Sequence, residues 1–256
     1  MAENSGQFSE FADQGVLITG GGSGIGASLV TAFAEQGAKV AFIDINVSAS
    51  QSLVENLSTR TRHPVTFIEA DLRDQSQLAH AVKAAADATD GIKVLVNNAA
   101  WDDRHDIDTV TSDYWDANHA VNLKPVFFVT QAALPYLRKA EGASIINFSS
   151  ISYLLNMGEL PAYAAAKAGI VGLTKSLAGR LGTETIRVNA ILPGMIVTER
   201  QKELWLTDDS ILQGVARQCI KRALTADDLV GPCLFLASSA SAAMTAQTII
   251  IDGGLL

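Results

Sequence analysis

The sequence predicts an α/β fold: a single doubly wound, parallel, seven-stranded sheet with helices on both faces. Three observations carry this expectation. Short runs rich in Val, Ile, Leu and Phe recur along the chain and are separated by longer stretches of helical pattern. The apolar runs are continuous rather than alternating, as in strands covered on both faces. A helix lies between successive runs, and parallel neighbours need such crossovers. Hydrophobic residues make up 48% and charged residues 18% of the chain, which supplies a large core and excludes a disordered chain.

In order, residues 15–19 read as the first strand, 25–36 as a helix and 39–44 as the second strand. A helix over 48–58, a strand over 65–69, a helix over 74–88 and a strand over 93–96 follow. One long helix is expected over 111–138, then a strand over 143–148, a helix over 162–179 and a strand over 186–191. A helix over 226–236 and a strand over 248–251 complete the pattern. No repeat, linker or low-complexity tract interrupts it, so 1–256 reads as one domain.

The formal net charge of −8 repels phosphate backbones and argues against a nucleic-acid partner. The two cysteines, Cys219 and Cys233, form no CxxC, and the four histidines form no HExxH, so no metal site is expected. The polar, acidic start MAENSGQFSEFADQ lacks the features of a signal peptide, and no apolar run is long enough to span a membrane. A cytoplasmic location is expected.

In doubly wound sheets ligands bind beyond the carboxyl ends of the strands, so the residues there matter most. The first strand runs directly into Thr19-Gly20-Gly21-Gly22-Ser23-Gly24-Ile25-Gly26, and a helix begins. A glycine-rich strand-to-helix turn lets backbone N–H groups approach a pyrophosphate, and the helix start adds partial positive charge. The second strand ends at Asp44-Ile45. A carboxylate there can accept from both ribose hydroxyls of NAD and would repel a 2′-phosphate. No Lys or Arg stands in the turn or at 44–46 to offset that repulsion, so NAD is the expected cofactor. Asp71-Leu72 and Asn98-Ala99-Ala100 follow the third and fourth strands on the same side. Asp71 is a candidate for the adenine amino group, and the small alanines allow close passage of the cofactor.

Tyr163 and Lys167 are four apart in a helical segment, which stacks them on one face. A neighbouring ammonium is expected to ease ionisation of the phenol, making Tyr163 the proton-transfer group. The fifth strand ends at Ser149-Ser150, where Ser150 can hold a substrate oxygen. Asn122, in the helix after the fourth strand, could hold a water that connects to Lys167. A purely structural bond is the competing reading of that amide.

With these residues in hand, the chain resembles the short-chain dehydrogenase/reductase family over nearly its whole length. The likeness rests on Thr19-Gly20-x-x-x-Gly24-x-Gly26, on Asn97-Asn98-Ala99-Ala100, and on Asn122, Ser150, Tyr163 and Lys167 in order and spacing. It rests also on Pro193-Gly194 with Ile196 and Thr198, and on Asp252-Gly253-Gly254. Ala100 departs from the family, which usually has glycine there. The resemblance implies a Rossmann-like sheet in the order 3-2-1-4-5-6-7. It implies Asn122, Ser150, Tyr163 and Lys167 as the catalytic set, with Lys167 bonding the nicotinamide ribose. Pro193, Gly194, Ile196 and Thr198 would lie along the nicotinamide, and a homotetramer is implied.

The substrate must be read from local residues. Trp101-Asp102-Asp103-Arg104-His105 follows the fourth strand beside the expected reaction site. Dense donors and acceptors suit a polyhydroxylated substrate, because each hydroxyl needs a partner once desolvated. A solvated loop with an internal Asp–Arg pair is the competing reading. Ser152 and Asn156 after Ser150, and Gln201 in a mobile loop over 198–217, are further candidates for lining a substrate pocket. Trp205 either stacks on a sugar face or packs this lid. These segments resemble those of bacterial NAD-dependent aldose 1-dehydrogenases, with D-xylose, L-arabinose, D-galactose and L-fucose left open. Such enzymes oxidise an anomeric hydroxyl to a lactone. A dehydrogenase or reductase for another secondary alcohol or a 3-oxoacyl thioester, and a non-enzymatic NAD-sensing protein, are the alternatives.

Overall fold

A computed structural model describes residues 8–256; the reading of the first seven residues as part of a polar leaderless start lies outside them. Seven parallel strands form the sheet: β1 (Gly15–Thr19), β2 (Lys39–Asp44), β3 (Thr66–Glu69), β4 (Val94–Asn97), β5 (Ser144–Phe148), β6 (Arg187–Pro193) and, last in the chain, β9 (Thr248–Ile251). Their spatial order is β3-β2-β1-β4-β5-β6-β9, the expected arrangement. Two two-residue strands, β7 (Ile196–Val197) and β8 (Leu224–Thr225), pair apart from the main sheet.

Alternate residues along the central strands feed two cores. Val16, Ile18, Val40, Phe42, Val94 and Val96 face the layer of α1 (Gly24–Glu35) and α9 (Val230–Ala237). Leu17, Ala41, Ile43 and Leu95 face the layer of α3 (Gln75–Ala88), α5 (Lys124–Leu137) and α6 (Pro161–Leu181). The two-residue period of a strand thus divides one continuous apolar run between two buried faces. Burying each of these Val, Leu, Ile and Phe side chains is worth about 1.5–3 kcal/mol.

Side-chain caps fix several helix starts. Asn46 accepts from Ala49 N at the start of α2 (Val47–Leu57). Asp74 accepts from Ser76 Oγ, Ser76 N and Gln77 N ahead of α3, bonds that hold its carboxyl down at about 2.

The helix expected over 111–138 is two helices, α4 (Ser112–Asn122) and α5, divided at Leu123 (φ −121°, ψ −51°). Pro125 is the cause. It has no N–H for the carbonyl of Val121, and its ring crowds that carbonyl. Val126 N, which would bond Asn122 O in an unbroken helix, donates to Leu123 O instead, at 3.2 Å. The expected helix over 226–236 begins as a 3-10 turn at Ala226–Leu229 and becomes α-helical only at α9. The expected loop over 198–217 is largely helical: α7 (Glu199–Leu204) is capped by Thr198, and α8 (Asp208–Arg217) is opened by a Thr207–Ser210 capping box. Neither of these helices has a buried residue. No helix among the described residues is long and apolar enough to cross a membrane.

Candidate active site

The glycine turn after β1 is held from three sides. Gly20 and Gly24 take positive φ (67° and 53°), which costs side-chain-bearing residues energy. A Cβ on Gly26 would lie 1.9 Å from Gly20 O, so α1 can close on the turn only with glycine there. Asn98 Nδ2 donates to Thr19 O (3.1 Å) and Gly20 O (3.0 Å), while Asn98 N and Ala99 N donate to Thr19 Oγ1. The Asn98 side chain therefore pins the turn to β4.

Asp44 stands at the end of β2. Its Oδ2 accepts from Gly22 N and its Oδ1 from Asn46 N, both at 2.8 Å. Ser23, at the N-cap of α1, makes no side-chain capping bond, so no cap competes for the first-turn N–H groups of that helix. Ile25 lies in the same turn at intermediate exposure. A Cβ on Gly24 would sit 3.6 Å from Thr198 Cγ2, so the turn and the segment after β7 approach each other closely.

An exposed Ile45 follows Asp44, whereas Leu72 is buried in the core and leaves only backbone at the rim. Asp71 is bound by Arg73, whose Nε donates to both carboxylate oxygens at 2.9 Å; this bond holds the Asp71 carboxyl below its usual range. Ala100 is exposed, so its methyl occupies no packed space. Pro193 and Ile196 are buried. Gly194 is braced by the C-terminal turn: its N donates to Ile251 O at 2.8 Å, and a Cβ on it would lie 2.7 Å from Asp252 Cα.

A buried amide ladder crosses the middle of the sheet. Asn97 Nδ2 donates to Asn147 Oδ1 (2.9 Å) and Thr130 Oγ1 (3.2 Å), and Asn147 Nδ2 donates to Thr174 Oγ1 (2.9 Å). It joins β4 and β5 to α5 and α6. One turn nearer the site, Ser149 Oγ donates to Lys167 O at 2.7 Å, which fixes α6 against the end of β5. This is how Ser150, Tyr163 and Lys167 come together.

Ser150 Oγ accepts from Ser152 N at 3.1 Å and also hydrogen-bonds the Tyr163 hydroxyl. Lys167 is 2% exposed; its Nζ donates to Phe148 O at 3.0 Å and lies 5.4 Å from the centre of the Tyr163 ring. The expected easing of the phenol by this ammonium is not what the protein's own groups produce. Burial and the Asp102 carboxylate push the Tyr163 phenol well above its ordinary value; the Ser150 bond and Arg104 only partly oppose them. Burial lowers Lys167 to about 8, with Asp102 acting in the opposite sense.

Asn122 is fully buried and its side-chain amide is committed. Its Oδ1 accepts from Trp101 N, and its Nδ2 donates to Trp101 O, both at 2.8 Å, and also to Asn118. The amide therefore clamps the start of the 101–105 loop, the structural reading of the two. The break at Leu123 also frees the Asn122 main-chain carbonyl from Val126 N, which bonds Leu123 O.

The 101–105 loop is not held by an internal Asp–Arg pair. Arg104 pairs with Glu159 (3.3 Å) and lies over the Trp205 ring, 5.5 Å from its centre. His105 Nε2 accepts from Ala162 N at 3.0 Å, and its Nδ1 meets the Tyr114 hydroxyl at 2.9 Å, so this ring ties the loop to the start of α6. Asp103 faces the same Tyr114 hydroxyl at 3.4 Å. Asp102 is bonded by Gln201 of α7. Ser152 Oγ and Trp205 Nε1 are buried without hydrogen-bond partners, while Asn156 is exposed at the rim. Glu159 and Tyr114 were not singled out from sequence. Each meets its partner only through tertiary contact, and no local motif marks them.

Residues 20–256 match the family model described as Enoyl-(Acyl carrier protein) reductase. The chain is 59% identical over 255 residues, 98% of both sequences, to a protein of Rhizobium meliloti (strain 1021) named Probable galactose dehydrogenase GalD. It is 43% identical to a D-xylose 1-dehydrogenase of Caulobacter vibrioides (strain NA1000 / CB15N), over 93% of this chain and 94% of that one. A crystal structure of a dehydrogenase/reductase from Sinorhizobium meliloti 1021 superposes with a TM-score of 0.88 at 29% identity, covering 95% of each chain.

Proposed function

This chain belongs to the short-chain dehydrogenase/reductase family of oxidoreductases, and on that premise we propose that it is an NAD-dependent aldose 1-dehydrogenase. The observation that carries the substrate class is the 59% identity, over 98% of both chains, to a protein named as a galactose dehydrogenase. The hydrogen-bonding groups of the 101–105 loop and α7, gathered on the side of Tyr163, support it.

A dinucleotide suits the residues present. The positive-φ glycine turn and the uncapped start of α1 suit a pyrophosphate, held by Gly20, Ser23, Gly24, Ile25 and Gly26. Asp44, with backbone donors fixing both oxygens, keeps lone pairs for ribose hydroxyls, and no cation at 20–26 or 44–46 offsets its repulsion of a 2′-phosphate. Bound NAD supplies the acceptor for the hydride that leaves the anomeric carbon. Ser150 holds the reacting oxygen, and Tyr163 takes its proton as the carbon–oxygen bond becomes the lactone carbonyl. Lys167, anchored by Phe148 O and near the Tyr163 ring, would bond the nicotinamide ribose of a bound cofactor. Asn122 shapes the loop through its amide and leaves its carbonyl for a relay water. Thr198 and the α7–α8 segment form the cover.

The test is formation of NADH from a panel of pentoses, hexoses and deoxyhexoses, run with NAD and NADP in parallel. The expected result is oxidation of at least one aldose with at least about tenfold preference for NAD, a preference that Asp44→Ala narrows by weakening NAD. A panel with no turnover, or an Asp44→Ala protein with unchanged NAD affinity, would remove the corresponding part of the reading.

The assembly proposed is a homotetramer in the cytoplasm. Exposed Trp115 on α4, Phe127 on α5, Phe235 on α9 and Ile250 on β9 support an assembly of copies. Light scattering should return about four chain masses, and a monomer would refute it.

A further inference from the structure

Asp102 and Gln201, 99 residues apart, join the loop after β4 to α7. Gln201 Nε2 donates to Asp102 Oδ2 at 2.5 Å. A carboxylate can only accept, so the amide turns its nitrogen to Asp102 and keeps its oxygen for another donor. Asp102 Oδ1 and Gln201 Oε1 accept no hydrogen bond among the described residues, and both side chains belong to partly buried residues. The pair therefore offers two acceptors, with one of the two Gln201 amide N–H groups engaged by Asp102.

Two contacts keep it so. Arg104 over Trp205 holds the end of α7 to the loop, and Asn122 clamps the loop at Trp101. Asp102 follows Trp101, which Asn122 clamps, and its charge acts on both Tyr163 and Lys167.

We propose that Asp102 and Gln201 together recognise a vicinal diol. The hydroxyl next to the reacting carbon donates to Asp102, and the following hydroxyl donates to Gln201 Oε1. This rests on the aldose reading and names what the cover selects. A 3-oxoacyl thioester brings no donor to this place and leaves the Asp102 carboxylate oxygen unpaired, so the same pair disfavours it. A sugar lacking the first hydroxyl leaves a carboxylate oxygen desolvated and unpaired, the situation in which hydrogen-bonding sites discriminate most strongly.

The experiment compares kcat/KM for an aldose oxidised by the wild-type protein with that for its 2-deoxy and 3-deoxy analogues. It is repeated in Asp102→Asn and Gln201→Met. The wild type should prefer the parent sugar by about 10²-fold or more. Asp102→Asn should cut the preference over the 2-deoxy sugar to below about tenfold, and Gln201→Met should do the same for the 3-deoxy sugar. NADH affinity and thermal unfolding report whether each variant is folded. Because α7 has no buried residue, Gln201→Met gives a reading even if Asp102→Asn folds poorly. A general loss of catalysis lowers both sugars equally and leaves the ratio alone. Turnover of the parent sugar with ratios unchanged in the variants, or with no wild-type preference, overturns the diol site while leaving the aldose reading standing. A wild-type protein that oxidises no aldose overturns both.

Discussion

Tyr163→Phe should lower turnover by about 10³-fold or more while changing NADH affinity less than about threefold. The substitution removes one oxygen from a side chain whose ring is held by α6 and whose hydroxyl meets Ser150. Nothing else in the site needs that oxygen for its position: Lys167 is anchored on Phe148 O and Ser150 on Ser152 N. The pH profile carries the sharper signature. The protein's own groups favour the protonated phenol, through burial first and Asp102 second. Oxidation needs that proton to leave, so activity should rise with pH, and this rising limb should vanish in Tyr163→Phe. A variant that retains turnover within tenfold, or keeps the wild-type pH profile, would take the proton-transfer role away from Tyr163.

Lys167→Met should remove turnover by about 10²-fold or more and leave the fold as stable or more so. Burial lowers the Lys167 ammonium from 10.5 to about 8, a penalty of roughly 3 kcal/mol on the charged form. Against it stands the bond to Phe148 O, whose loss leaves a buried carbonyl unpaired at a cost of about 1–3 kcal/mol. Methionine fills similar space without charge, so the two effects nearly cancel at pH 7 or favour the variant. The sign with pH is definite. Below about 8 both folded and unfolded chains hold the proton, and the full penalty applies. Between about 8 and 10.5 the folded chain releases it first, so the wild type gains stability relative to Lys167→Met as pH rises. Thermal unfolding of both proteins from pH 7 to 10 measures this. A variant that melts more than about 5 °C lower at pH 7 would show that the ammonium stabilises the fold.

The frame of this molecule was readable because each strand is a short apolar run and each crossover carries its own helical period. The final strand, β9 (Thr248–Ile251), lies where the pattern places it. The break at Leu123 was hidden because a proline does not by itself mark it: Pro125 opens α5 whereas Pro135 lies inside α5, and the flanking residues remain apolar and periodic. The 198–217 segment was hidden for the opposite reason. Its helices bury nothing, and only their caps at Thr198 and Thr207 mark them. The commitments of the Asn122 amide, of Arg104 to Glu159 and of Asp102 to Gln201 bridge 21, 55 and 99 positions. A single sequence offers candidates for such partners but no pairing. The direction of the Tyr163 shift was not legible because the spacing shows the neighbouring Lys167 but neither the burial of the phenol nor the Asp102 carboxylate, which raise it.

The amide ladder through Asn97, Asn147, Thr130 and Thr174 has a further consequence. Proton-transfer chemistry and substrate choice sit on parts of the molecule with different opening free energies. Amides of β4, β5 and α6 should exchange with solvent deuterium only when the whole chain unfolds, whereas those of α7 and α8, which bury nothing, open locally. Evolution, or an engineer, can therefore redraw the covering helices for another sugar and lose little melting temperature in doing so.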